Sequence, residues 1–142
     1  MGQNERERVL ILCTGNSCRS QMAEAMLRRM AGNRFEVFSA GTEPAPKVHP
    51  LAVKAMAEIG YDISGHRTKR VADLPTQEFD YVITVCDAAN QQCPFLPGQF
   101  ERLHWPFDDP ARAEGSEEER MAVFRRVREE MRAKLGEWVG EA

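Results

Sequence analysis

The stretch VLILCTGNSCRS, Val9 to Ser20, constrains this chain more than any other. Four consecutive apolar residues, Val9 to Leu12, suit a strand covered on both faces, which is the environment of a parallel sheet. The run ends at Cys13. Gly15 and Asn16 follow, two residues that tolerate the positive φ a tight loop demands. From Ser20 onward Met22, Ala23, Met26, Leu27 and Met30 recur at helical spacing, and the pattern stops near Gly32. The opening unit reads as strand, loop, helix.

The rest of the chain repeats that alternation. FEVFSAG (35–41) reads as a second strand, and Pro50 starts a helix that Gly60 is placed to terminate. A basic, polar stretch, HRTKR (66–70), precedes a β-branched third strand, DYVITVC (80–86), that again ends in cysteine, and RLHWPF (102–107) is a weaker fourth. Ser116 and Glu119 fit a capping box, after which Phe124, Val127, Met131, Leu135 and Trp138 mark one face of a long terminal helix. Strands alternating with helices predict an α/β fold: one domain, 1–142, with a four-stranded parallel sheet flanked by helices on both faces. Ligands bind such sheets beyond the carboxyl ends of the strands, where Cys13 and Cys86 both fall.

A formal net charge of -3 gives no bulk attraction to nucleic acid or anionic lipid. Any anion must be captured by local geometry. No apolar run approaches the ~18 residues that span a bilayer, and the first residues, MGQNERERV, are polar. A cytoplasmic, monomeric protein is expected, with no nucleic-acid or membrane partner. In that reducing compartment four cysteines suit catalytic, redox or metal-binding roles better than structural disulfides.

Thr14, Gly15, Asn16, Ser17 and Cys18 form a loop between Cys13 and Arg19 whose successive amides point inward, at the positive end of the next helix. Arg19 can fork onto two oxygens. This is a cradle for a tetrahedral oxyanion, running from Cys13 to Ser20, and its field favours a thiolate nucleophile at Cys13. A plain buried strand-end cysteine is the competing reading. A nucleotide loop of the Walker kind is excluded, because the Gly-Lys-Ser/Thr ending is missing. Cys86 and Cys93 enclose six residues and precede Pro94; beside a reactive Cys13 they read as a resolving thiol pair. Zinc is disfavoured, since Cys-x4-Cys and Cys-x6-Cys do not match structural knuckles.

CTGNSCRSQMAE resembles the phosphate-binding loop of the low-molecular-weight protein tyrosine phosphatase fold, and resembles more closely the thioredoxin-coupled arsenate reductases built on it. SAGTEP, VITVCDAANQQCP and HWPFDDPARA extend the likeness over nearly the whole chain. The resemblance implies Cys13 as nucleophile, Arg19 as oxyanion grip and Ser20 as support for the thiolate. It implies Asp109, directly before Pro110, as general acid in place of Asp108. It also implies a relay, in which Cys86 attacks Cys13 and Cys93 then attacks Cys86, with thioredoxin as external reductant and no tightly bound cofactor. Cys18 matches a loop cysteine outside that relay. Gln21 replaces a proline usual in the phosphatases, and Ala111-Arg112-Ala113 replaces their aromatic residues, so arsenate is the expected substrate, with phosphate or sulfate competing. Asn16, Glu24 and Ser39 match a potassium site of some members, where Arg67 or Lys69 is expected to supply the positive charge. A phosphatase for small phosphomonoesters and a non-catalytic oxyanion or redox sensor are the alternatives.

Overall fold

The computed structural model describes residues 6–91 and 96–141. Four parallel strands, β1 (Glu7–Cys13), β2 (Phe35–Gly41), β3 (Tyr81–Thr84) and β4 (Glu101–His104), lie in the order β2-β1-β3-β4. Between and after them run α1 (Arg19–Ala31), α2 (Pro50–Ala57), α3 (Asp87–Gln91) and α4 (Glu117–Glu141), with single 3-10 turns at Val71–Asp73 and Pro110–Arg112. The predicted alternation and four-stranded parallel sheet are present. The third and fourth strands are shorter than the sequence pattern suggested. β3 stops at Thr84, so Cys86 belongs to the crossing into α3, and β4 stops at His104, beyond which the Trp105 and Phe107 amides still donate to Thr84 O and Val85 O at 2.8 and 3.1 Å.

The central strands explain the apolar runs. Val9, Leu10, Ile11 and Leu12 are all fully buried, and so are Val82, Ile83 and Thr84. Successive side chains point to opposite faces, so both faces of β1 and β3 are covered. β4 is the exposed edge. The terminal helix begins with the expected capping box: Ser116 N–H donates to Glu119 Oε1 at 2.8 Å and Glu119 N–H to Ser116 Oγ at 3.1 Å. Its predicted stripe holds, with Phe124, Val127, Met131 and Leu135 buried, while Trp138 is half-buried and stacks on Phe35 with ring centroids 5.1 Å apart. Arg128, buried between α2 and α4, donates to the Ala55 carbonyl at 2.9 Å and pairs with Glu58 at 2.8 Å. Glu58 also takes Arg125, and these donors hold its carboxyl down at about 2.

Parallel pairing gathers the strand ends. Cys13 lies opposite Gly41, Leu12 opposite Thr84, and Thr84 opposite His104. The chain leaves β1 at the carboxyl end of the sheet, and there the loop 14–18 is clamped from behind. The carbonyls of Cys13, Thr14, Gly15 and Ser17 accept from the amides of Thr42, Glu43, Ala45 and His49 at 2.9–3.0 Å. With its carbonyls held outward, the loop is free to turn its own amides inward. Close approach at Gly41 makes this possible: a Cβ there would lie 2.5 Å from Thr14 O and 3.1 Å from Asn16 N. Backbone atoms of two strands' ends cannot yield as a side chain tip does. Gly41→Ala is therefore expected to cost about 1–3 kcal/mol, read as a lower urea midpoint; an unchanged midpoint would show that loop and strand separate freely.

Candidate active site

Asn16 organises the loop. It is the one non-glycine residue among those described with positive φ, at 53°, and it is fully buried. The Lys69 backbone N–H, which can only donate, reaches Asn16 Oδ1 at 2.9 Å, and Gln21 Nε2 reaches the same oxygen at 3.0 Å. That fixes the amide: Nδ2 must face the other way, where it donates to Ser20 Oγ at 2.7 Å and to Ser39 Oγ at 3.0 Å. Ser20 Oγ thus accepts from Asn16, so its own proton is directed to Cys13 Sγ, 2.9 Å away. The Asn16 N–H donates to the same sulfur at 3.1 Å. Both contacts favour a thiolate.

Burial opposes them. Cys13 is only 2% exposed, and burial pushes its thiol up from the ordinary value, outweighing Ser20, the loop amides and the Arg19 charge, which pull it down. Burial thus works against the expected neutral-pH thiolate. Donors stand in place, but Arg19 is turned aside, donating from Nη1 to Phe107 O at 3.0 Å with Nη2 3.5 Å from Asp109 Oδ2. Cys18, buried beside Ser17, has its thiol pushed up to about 12 by burial.

Cys86 shares with Thr14 and Arg19 of the loop a cavity of about 610 Å³, which Asp108, Asp109 and Arg112 also line. Its sulfur is 3.3 Å from Thr14 Oγ1 and accepts from the Ala89 N–H at 3.4 Å. A residue of the loop after β1 thus touches the Cys86 thiol directly. Cys13, Cys18 and Cys86 are free; Cys93 lies outside the described residues. Asp109 and Asp108 are separated by their partners. Asp109 caps the turn through Ala111 N–H at 3.0 Å and faces Arg19, whereas Asp108 is drawn to Arg126 of α4 at 3.0 Å.

The Asn16, Glu24 and Ser39 group also comes together, as a network of side chains. Ser39 Oγ donates to Glu24, whose other oxygen receives Arg28 Nη2 at 2.6 Å. Lys69 Nζ stands 3.9 Å from Glu24. Of the two basic residues expected here, Lys69 faces Glu24, while Arg67 contributes its carbonyl, which accepts from Gln21 Nε2 at 2.8 Å and Lys69 Nζ at 3.0 Å. The nearest cation, Arg28, was missed by sequence reasoning, although its i, i+4 spacing from Glu24 signals the pair. Gln21 was read only as a replaced proline. It is fully buried, and because the Arg67 carbonyl fixes its amide, Gln21 Oε1 accepts from His66 Nδ1 at 3.1 Å. Among the described residues no group of three or more metal-ligating side chains is assembled, and no helix is long and apolar enough to cross a membrane.

A buried thiol at the end of β1, a loop clamped through its carbonyls and an arginine opening α1 thus stand together on a four-stranded parallel α/β fold. Residues 8–142 match the family described as low molecular weight phosphotyrosine protein phosphatase, and the chain belongs to that family. Within it, the chain is 52% identical to an arsenate reductase of Halalkalibacterium halodurans over 87% of its own length and 88% of the relative's. A solved arsenate reductase in the phosphate binding state superposes with a TM-score of 0.76 at 29% identity, covering 95% of this chain and 98% of that one. A thioredoxin-dependent arsenate reductase of Corynebacterium glutamicum superposes at 0.71 with 31% identity, covering 96% of this chain and 61% of that one.

The Ser20 orientation is testable by alkylation. In anion-free protein, the rate of Cys13 carboxamidomethylation is expected to rise with pH through a midpoint above the ordinary thiol value. Ser20→Ala is expected to move that midpoint further up, because the thiolate loses a donor. An unmoved midpoint would mean the hydroxyl does not serve the sulfur.

Proposed function

We propose that this protein reduces arsenate to arsenite in the cytoplasm, as a single-domain monomer, through a Cys13 adduct and a relay of Cys13, Cys86 and Cys93 that thioredoxin resets. The observation that carries this reading is the contact between Cys86 Sγ and Thr14 of the oxyanion loop, which sets a second thiol at the mouth of the Cys13 site. Similarity to arsenate reductases over most of the chain supports it.

In the proposed cycle an arsenate oxyanion enters the loop, where the amides of Thr14 to Ser20 and the Arg19 guanidinium neutralise it. Arg19 must leave Phe107 O to do so. The oxyanion takes up the Cys13 thiol proton as it enters, so that Cys13 attacks as the thiolate supported by Ser20 and Asn16. Cys13 Sγ displaces one arsenate oxygen, which departs as water with a proton from Asp109. The product is a thiol-arsenate adduct. Cys86, whose sulfur accepts from the α3 amide of Ala89, attacks Cys13 Sγ; the sulfur-arsenic bond breaks toward arsenic, which gains the electron pair and leaves as arsenite. Cys93 then attacks Cys86, Cys13 returns as thiolate, and a dithiol reductant takes the Cys86–Cys93 disulfide.

The last exchange requires α3 to open. If residues 87–93 were all helical, seven steps of ~1.5 Å would hold the two Cα atoms roughly 10 Å apart, beyond the ~4.4–6.8 Å of a disulfide. α3 is itself short, Asp87–Gln91, so the helix lost is little more than one turn. At Glu24, the Arg28 guanidinium and the Lys69 ammonium take the part that a potassium ion plays in the resemblance.

A phosphatase uses only Cys13, Arg19 and Asp109, so the two activities separate by mutation. Cys13→Ser is expected to remove both arsenate reduction and phosphatase activity. Cys86→Ser and Cys93→Ala are expected to spare hydrolysis of a small phosphomonoester and to abolish multiple turnover in arsenate-dependent NADPH consumption with thioredoxin and its reductase. Sustained turnover by either resolving-cysteine variant refutes the relay. Asp109→Asn is expected to slow the chemical step by ~10²–10⁴ with oxyanion binding nearly intact; a larger defect in Asp108→Asn would reassign the acid.

A further inference from the structure

The cleft beside the Cys13 loop, which Thr14 and Arg19 of that loop line, carries more acid than base, with Asp87, Asp108 and Asp109 set against Arg19 and Arg112. Such a lining repels a doubly charged oxyanion unless its carboxylates are matched. Asp109 lies 3.5 Å from Arg19, Asp108 is 3.0 Å from Arg126, and Asp87 Oδ1 is 2.8 Å from His104 Nε2. Arg19 is committed too, since it donates to Phe107 O. Arg112 is the remaining charge. It is exposed, and among the described residues its guanidinium takes no partner. Its backbone, by contrast, is fixed: Arg112 N–H donates to Asp109 O at 3.1 Å, and buried Pro110 anchors the turn. The stem is held at the cleft while the head is free.

We propose that Arg112 is the entry cation of the cleft, a specificity-determining residue that draws small, doubly charged tetrahedral oxyanions past the acidic lining and delivers them to Arg19. This rests on the reading of the site as one for an inorganic oxyanion. Without Arg112 the lining would hold three carboxylates against one arginine already bound to one of them. With it, an incoming dianion meets an uncommitted guanidinium before it has to displace the contacts of Arg19. Arg112 takes no part in bond making; it acts on capture.

The test separates charge from chemistry. Carboxymethylation of Cys13 by iodoacetate, an anion, is compared with its carboxamidomethylation by neutral iodoacetamide, each quantified at Cys13 by peptide mapping, in the wild type, Arg112→Ala and Arg112→Lys. The iodoacetate to iodoacetamide rate ratio is expected to fall roughly fivefold to twentyfold in Arg112→Ala, the order expected when a focusing charge is removed from a cleft. It is expected to hold in Arg112→Lys and to converge among the three proteins at high salt. In arsenate reduction the same Ala variant is expected to raise KM by a similar factor with kcat within about twofold, as for a group that acts on capture alone. An unchanged alkylation ratio, or an equal fall in the Lys variant, overturns the proposal. Failure of the wild type to turn over arsenate would instead overturn the reductase reading, and the alkylation ratio would still decide the role of Arg112.

Discussion

The Asn16 side chain is the interaction on which the site depends. Each of its polar positions is used: Oδ1 by Gln21 and the Lys69 amide, Nδ2 by Ser20 and Ser39. One buried amide thereby ties together the loop after β1, the first turn of α1, the end of β2 and the segment 66–70. A non-glycine residue at positive φ carries a local conformational cost, and the surrounding contacts hold it there. The loop is strained at one residue, and that residue is the one most thoroughly restrained.

A second tension follows from where the sheet puts Cys13. A strand covered on both faces ends in a dry place, and dryness disfavours a thiolate. The donors from Ser20 and Asn16 and the Arg19 charge answer this in part. A buried thiol whose pKa is pushed up is also a poor target for stray oxidants, because the thiolate is the reactive form.

Much of this was legible in the sequence because the relevant signals are local. The buried run Val9 to Leu12, the periodicity of α1 and α4, and the Ser116–Glu119 box each report on a few neighbouring residues. The Cys13 to Ser20 loop was readable for the same reason: its chemistry lies within one turn of chain. What escaped depends on contacts between distant segments. Gln21 meets Arg67 and His66 more than forty residues away, and nothing in its own neighbourhood announces three partners. The choice between Arg67 and Lys69 turns on which way an exposed segment presents each side chain, which composition does not encode. The balance of burial against donors at Cys13 is likewise a sum over the whole surroundings, and a motif shows only the donors.

Parallel strands that gather the chemistry at their carboxyl ends leave the opposite end of the sheet free of it. β1 begins there at Glu7, paired with Phe35 at the start of β2, and the tail of α4 returns to the same place, where Arg34 donates to the Val139 carbonyl at 3.1 Å. The first strand and the last helical turn are therefore neighbours on the side away from the cleft. A tether or fused domain joined at either position would hold the molecule by its back, with the mouth of the cleft facing outward to collide with a partner as large as another protein.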